Sequence, residues 1–427
     1  MSNSENYLMA VDWVLKNADA STRSWRTAGR RIRLPSGVPY RFVSRPVIGP
    51  QAATVSLQVR DEDLKTVLAL DERFAMVAGA SFVRVYRELS LVRIEFTLPF
   101  SQWSEVYLSD MPHRPDVVTF GRTALGSIAR LGWDSPHKAI FGTSQSGKTT
   151  CLTDFILSMA RANRPDEQQM IILNPKNDQK LIPFGRLAHL AAPIATGYED
   201  SVQLLRFVLA EMERRRGDVA LQARRWVVIV DEVAQLAQVK PEAGAIITQL
   251  SQLAGGLRIN LVVASQAANP SVFGEKGSLA LANFPSRLVF QLPADQAYLA
   301  TLLAGQHTER LAGKGDGLAI SGDRVTRFRA ALPQRSDYAT LPLAASEPEW
   351  PETYQLAGDA AIKERWQIDP EMVLYGLIIT NSATALQKHF GGKMDRARVA
   401  RDYVNALKEK LPGIIELKKQ MAGAKPV

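Results

Sequence analysis

Between Gly121 and Leu332, short apolar runs alternate with stretches of helical spacing. The runs Lys138 to Phe141, Met170 to Leu173, Val227 to Val230, Asn260 to Ala264 and Arg287 to Gln291 read as strands. Three or four consecutive apolar residues suit a strand buried on both faces. Their alternation with helices predicts a parallel sheet covered on two sides. Upstream the rhythm changes. Ala53 to Val59 and Ser90 to Phe96 alternate apolar and polar residues, Phe82 to Tyr86 is a further strand, and Leu64 to Val77 reads as a helix, which together predict a small α+β module. Before it, a short helical pattern over Tyr7 to Leu15 gives way to Pro35, Gly37, Pro39 and Pro46, which argue against a packed helix. The pattern divides the chain into an N-terminal extension over 1–48, the α+β module over 49–118, an α/β domain over 119–340, a Pro- and Glu-containing linker over 341–362, and a helical segment over 363–427 broken at Gly391-Gly392 and Pro412-Gly413.

Composition narrows the class. The 427 residues are 46% hydrophobic, ample for buried cores. No stretch reaches the roughly 18 uninterrupted apolar residues of a membrane-spanning helix. Glu5, Asp12 and Asp19 stand where a signal peptide needs a basic and then an apolar region. The single cysteine, Cys151, excludes an internal disulfide framework, and its place just inside a predicted helix suits a small packing residue. A cytoplasmic protein is expected. Charge adds a partner. The net +9 is concentrated at the ends: eight arginines and no acidic residue lie between Ala20 and Arg60, and ten Lys or Arg face four acidic residues from Thr384 to Val427. Two basic blocks predict a polyanion, since each neutralised phosphate releases condensed counterions.

The chemistry lies in the α/β domain. Gly142-Thr-Ser-Gln-Ser-Gly-Lys-Thr149 matches the phosphate loop, G-x4-G-K-[ST]. A predicted strand precedes it and a helix follows, so backbone N–H groups of Thr143, Ser144, Gln145, Ser146 and Gly147 can curl around phosphates at a helix N-terminus. Gly142 and Gly147 free the backbone, Lys148 places a point charge on the β- and γ-phosphates, and Thr149 supplies a hydroxyl to Mg²⁺, with Thr150 beside it. ATP and Mg²⁺ are therefore expected. Trp226-Val-Val-Ile-Val-Asp231-Glu232 would carry two carboxylates to the carboxyl edge of the sheet. Asp231 is expected to hold Mg²⁺, and Glu232 to orient and deprotonate the attacking water. A third strand ends in Ser265-Gln266, where Gln266 could touch the γ-phosphate.

These residues together resemble the FtsK/SpoIIIE family of DNA translocases. Gly49-Pro50-Gln-Ala-Ala-Thr-Val-Ser-Leu57 is similar to the start of that family's α module, and Val118-Thr-Phe-Gly121 through Thr143 to its lead-in to the phosphate loop. Ile171-Ile-Leu-Asn-Pro-Lys176, Glu211-Met-Glu-Arg-Arg215, Asn283-Phe-Pro-Ser-Arg287 and Leu311-Ala-Gly-Lys-Gly-Asp-Gly317 resemble further motifs in order. Asn174 stands where the family usually has an acidic residue before Pro175. The resemblance implies a RecA-like P-loop motor domain preceded by an α+β module and followed by a winged-helix-like domain. It also implies a ring, a hexamer, with an arginine reaching the neighbour's ATP, for which Arg287 is the first candidate and Arg258 the second. The family's membrane-spanning N-terminus is missing, which points to a plasmid, conjugative or phage element.

The last segment reads helix, Gly-Gly turn, helix. Val399, Tyr403 and Leu407 would face inward, leaving Lys393, Arg396, Arg398 and Arg401 to meet double-stranded DNA. The expected function is ATP-driven translocation of duplex DNA. A protein-secretion motor of similar fold and a genome-packaging or strand-separating ATPase share the same nucleotide site and stay open at this point.

Overall fold

The computed structural model describes residues 47–350, apart from 60, 70, 72–81, 98, 275–276, 303–305 and 323, together with three short strands before residue 47. The chain divides after Trp350. The expected winged helix, with Lys393, Arg396, Arg398 and Arg401, lies outside the described residues, as does the N-terminal helix at Tyr7 to Leu15.

In chain order, β1 (Ser24–Thr27) and β2 (Arg30–Arg33) form an antiparallel pair. The α+β module follows: β3 (Arg41–Phe42), β4 (Val47–Ile48), β5 (Ala52–Gln58), helix α1 (Asp61–Leu68), β6 (Phe82–Glu88) and β7 (Leu91–Thr97). Its sheet runs β3-β5-β7-β6, with β4 paired to β5. Alternation puts Val55, Leu57, Val83, Val85, Ile94 and Phe96 inside. The expected helix reaching Val77 is described only to Leu68, with Asp71 helical beyond it.

The α/β domain is built on one ten-stranded sheet. Its strands are β8 (Val117–Thr123), β9 (Ile128–Gly132), β10 (Lys138–Phe141), β11 (Gln168–Asn174), β12 (Ala195–Thr196), β13 (Arg225–Val230), β14 (Ile259–Ser265), β15 (Ser286–Val289), β16 (Asp316–Ser321) and β17 (Arg324–Ala330). The order is β12-β11-β13-β14-β10-β15-β16-β17-β8-β9. The first six are mutually parallel, and the last four join antiparallel. All five strands expected from apolar runs are present. The antiparallel extension departs from a purely parallel expectation. It arises because β16 and β17 are joined by a tight turn and β8 and β9 by Ala124 to Ser127, too short for the crossover helix that parallel pairing requires.

Helix α2 (Lys148–Ala162) begins where Gly147, at φ 115°, turns the phosphate loop. Cys151, Leu152, Phe155, Ile156, Met159 and Ala160 are buried along it, the i, i+4 spacing of a core-facing stripe. Phe155 stacks on Phe120 of β8 with ring centroids 5.8 Å apart, and Phe120 and Phe290 both meet Phe328 of β17 edge-on. The antiparallel strands thus form part of the floor on which the phosphate-loop helix rests. Among the described residues no helix is long and apolar enough to cross a membrane.

Candidate functional site

Strand order, not sequence order, assembles the site. Phe141 of β10 pairs with Ser265 of β14, Val263 with Val230 of β13, and Val230 with Leu173 of β11. The carboxyl ends of four adjacent parallel strands therefore open on the same edge, where ligands bind in open α/β sheets. The loops leaving them carry Gly142 onward, Gln266, Asp231-Glu232 and Pro175-Lys176. They enclose a cavity of about 420 Å³.

The phosphate loop is held from both sides. The Gly142 N–H donates to Ser265 O (3.1 Å), the Thr143 N–H to Gln291 O (3.0 Å), and Ser146 O accepts from the Gly315 N–H (2.8 Å). Ser146 itself is buried, with its hydroxyl donating to Thr143 O at 2.8 Å. Gly147 has no room for a side chain, because a Cβ would sit 2.7 Å from Gly315 N. Its φ of 115° also disfavours any other residue. Gln145 takes φ 62° at the exposed tip. The first turn of α2 leaves N–H groups without intrahelical partners, directed at the loop. Thr143, Ser144, Gln145, Gly147, Lys148, Thr149 and Thr150 all line the cavity.

Four side chains meet across it. Lys148, 7% exposed, lies 3.4 Å from Glu232 Oε2 and 3.9 Å from Asp231 Oδ1. Gln266 donates through Nε2 to Glu232 Oε2 at 2.8 Å and through its backbone N–H to Oε1 at 3.2 Å. Its side-chain oxygen accepts from the Ser144 hydroxyl at 3.2 Å. Gln266 thus links Glu232 to the phosphate loop. Glu232 stands at φ 59°, ψ 57°, as the N-cap of helix α3 (Val233–Val239). A non-glycine residue held in the left-handed region costs of order 1 kcal/mol or more, and such strain clusters where a side chain must be aimed. Here it aims the carboxylate back over the phosphate loop.

The two carboxyls differ. Burial pushes the Asp231 carboxyl above the usual range, with Lys148 partly opposing it. Burial pushes Glu232 in the same direction, but Lys148, the Gln266 hydrogen bonds and Lys176 more than offset it, so Glu232 sits below its ordinary value. Asp231 Oδ1 is buried without a hydrogen-bond partner. A buried carboxylate oxygen with only a distant ammonium, facing a cavity that Thr149 also lines, fits an oxygen-ligated hard cation such as Mg²⁺.

The arginine expectation is corrected. Arg287 is fully buried in β15. Its guanidinium donates to the carbonyls of Phe284 (2.7 Å), Leu299 (2.6 Å), Ala300 (3.2 Å) and Leu281 (2.7 Å). Burial lowers it to about 10. A side chain committed to four backbone carbonyls of its own chain cannot also reach a neighbour's nucleotide. Arg258, at φ 57° just before β14, is exposed and donates to Ala223 O at 2.8 Å. It lies at the amino edge of the sheet, away from this cavity.

Sequence reasoning missed several parts of the wall, Asp178 and Lys180 among them. Lys176 lies 3.4 Å from Glu232 Oε2. Lys314, at φ 49°, lines the cavity on the loop whose Gly315 packs against Gly147. Ala330, Ala331 and Leu332 make an apolar side. The Asn174-Pro175-Lys176 motif was the available signal for Lys176, and Gly313-Lys314-Gly315 for Lys314.

The profile of the FtsK/SpoIIIE family matches residues 92–225. The DNA translocase SpoIIIE of Bacillus subtilis is 32% identical over 359 residues, covering 75% of this chain and 44% of that protein. The DNA translocase FtsK of Streptomyces coelicolor is 28% identical over 326 residues, 65% of this chain and 34% of that one. The chain thus spans less than half the length of these relatives. Among solved structures, the cytoplasmic domain of the Thermomonospora curvata type VII secretion ATPase EccC overlaps at TM-score 0.49 and 19% identity, covering 57% of this chain and 32% of that one. The conjugation coupling protein TcpA overlaps at TM-score 0.48 and 13% identity, 77% and 94%. The sequence matches bear out the resemblance read from the motifs.

Proposed function

From its kinship with the FtsK/SpoIIIE family, we propose that this chain is an ATP-hydrolysing RecA-like motor that moves along double-stranded DNA. The observation that carries the first half is the meeting of Lys148, Asp231, Glu232 and Gln266 around a cavity closed by the phosphate loop. The substrate rests on the relatives, which are named as DNA translocases, and on the basic ends of the chain.

The residues divide the task. The phosphate loop and the first turn of α2 receive the β- and γ-phosphates, and Lys148 exchanges its carboxylate partners for them. Asp231 and Thr149 would hold Mg²⁺, which would supply charge to neutralise the phosphates. Glu232 orients water and takes its proton. Gln266, bonded to both Glu232 and Ser144, reports the state of the phosphates to the strand behind it. Catalysis is then positioning and charge stabilisation. The same reading includes a ring of subunits, a hexamer by resemblance, and a DNA grip at Lys393, Arg396, Arg398 and Arg401.

The test is displacement of a third strand from a triplex on long duplex DNA. ATP-dependent displacement with the duplex intact is expected. Separated duplex strands would indicate an unwinding motor, and turnover stimulated by a protein substrate but not by DNA would indicate a secretion motor.

A further inference from the structure

Lys176 carries a charge that the phosphate-loop chemistry does not use. It sits on the loop leaving β11, with its ammonium 3.4 Å from Glu232 Oε2. Lys148 approaches that same oxygen at 3.4 Å and Gln266 Nε2 at 2.8 Å. The loop holds Lys176 there. Asn174, fully buried, accepts through Oδ1 from the Asp178 N–H (2.7 Å) and donates through Nδ2 to Asp178 O (3.0 Å). The Asn177 N–H closes the turn on Asn174 O at 2.9 Å, with Asn177 at φ 54°. The amide both donates and accepts here, which an ionised carboxylate, an acceptor alone, cannot do. Pro175 fixes a further φ angle between them.

The two lysines stand in different relations to the nucleotide. Lys148 belongs to the phosphate loop, where phosphate charge competes for its ammonium. Lys176 belongs to the neighbouring strand end, and its side chain remains 37% exposed at the cavity wall. Once Lys148 turns to phosphate, the Glu232 carboxylate faces like charge across a partly desolvated cavity, where repulsion is stronger than in water. A cation already in contact with Oε2 offsets that repulsion.

We propose that Lys176 is the positioning residue of Glu232, holding its carboxylate beside the reacting phosphate after Lys148 has been taken up by the nucleotide. The inference rests on the ATPase reading. Its role is to act through Glu232 and not to bind nucleotide, which separates it from a phosphate ligand.

The experiment compares steady-state ATP turnover of the unaltered chain, Lys176→Met and Lys176→Arg, and measures ATP affinity in Glu232→Gln and in Glu232→Gln with Lys176→Met. Lys176→Met should lower kcat by roughly 10- to 100-fold with KM for ATP little changed, as a displaced catalytic group does. Lys176→Arg, which keeps the charge, should recover most of that loss. In the Glu232→Gln background the added Lys176→Met should leave ATP affinity unchanged. Unchanged kcat in Lys176→Met, a raised KM with kcat intact, no recovery with arginine, or weaker ATP affinity in the double variant would each overturn the inference. Absence of turnover in the unaltered chain would overturn the ATPase reading and this inference with it, whereas full turnover by Lys176→Met overturns this inference alone.

Discussion

The two edges of the parallel sheet hold buried ionisable side chains in opposite ways. At the amino edge, His137 accepts the Leu261 N–H at 3.1 Å, Lys138 donates to Ser135 O at 2.8 Å over the Trp133 ring, and Arg287 bonds four carbonyls. Each finds its partners in the backbone of its own fold. At the carboxyl edge, Lys148, Glu232 and Gln266 bond mainly to one another, Asp231 Oδ1 has no hydrogen-bond partner, and Glu232 sits in the left-handed region. A buried charge satisfied by backbone stabilises the chain that holds it. Buried charges that satisfy each other around a cavity can exchange partners for a ligand, and the unpaired oxygen and the strained φ mark where they do so.

The largest effects should separate the edges. Lys148→Ala should reduce ATP turnover to background, and Glu232→Gln should cut it by roughly 10²–10⁴-fold while ATP still binds. Neither should lower the melting temperature much, since the carboxyl edge is built for ligand. Turnover assays and thermal melts on the same preparations read both. Arg287→Ala should do the reverse. Leaving four buried carbonyls without donors should cost about 3 kcal/mol or more, seen as a lowered melting temperature. Its folded subunits should keep turning over ATP by themselves, so mixing them with Lys148→Ala subunits should bring no gain. Recovery in mixed assemblies would make Arg287 a catalytic partner after all and erase the contrast.

Smaller effects sharpen it. Gln266→Ala should slow turnover by about tenfold, with stability near that of the unaltered chain, because one charge-assisted hydrogen bond to Glu232 is lost. His137 supplies a pH test of the amino edge. Burial, with Lys138 beside it, lowers its imidazole from 6.5 to about 4. The folded chain therefore favours the neutral ring. That stability is fully present above pH 6.5 and is lost as pH falls toward 4, amounting to about 1 kcal/mol by pH 5.5. Chemical denaturation at the two pH values measures it, and His137→Gln should flatten the dependence.

The sequence reading succeeded where one contiguous segment held both signal and context. The apolar runs ending at Phe141, Val230 and Ala264 are visible as strands, and the phosphate loop and Asp231-Glu232 follow two of them directly. It failed where the meaning depended on neighbours in space. Lys176 reaches Glu232 only because β11 pairs with β13, which no local pattern states. Arg287 was assigned from its motif, but the motif carries no information about burial, and the carbonyls around it come from Leu281, Phe284, Leu299 and Ala300. The antiparallel strand β17 mixes arginines with apolar residues because it meets the α+β module: Arg327 bonds Thr97 there as well as Asp316 of β16, and Arg329 bonds Trp103 O.

The most direct test of a DNA-driven ATP motor is the rate of ATP hydrolysis by the full chain with and without long duplex DNA, with Lys148→Ala as the control. The account predicts low basal turnover, strong stimulation by duplex, and neither in the control. Equal rates with and without DNA, or turnover that survives Lys148→Ala, would contradict it.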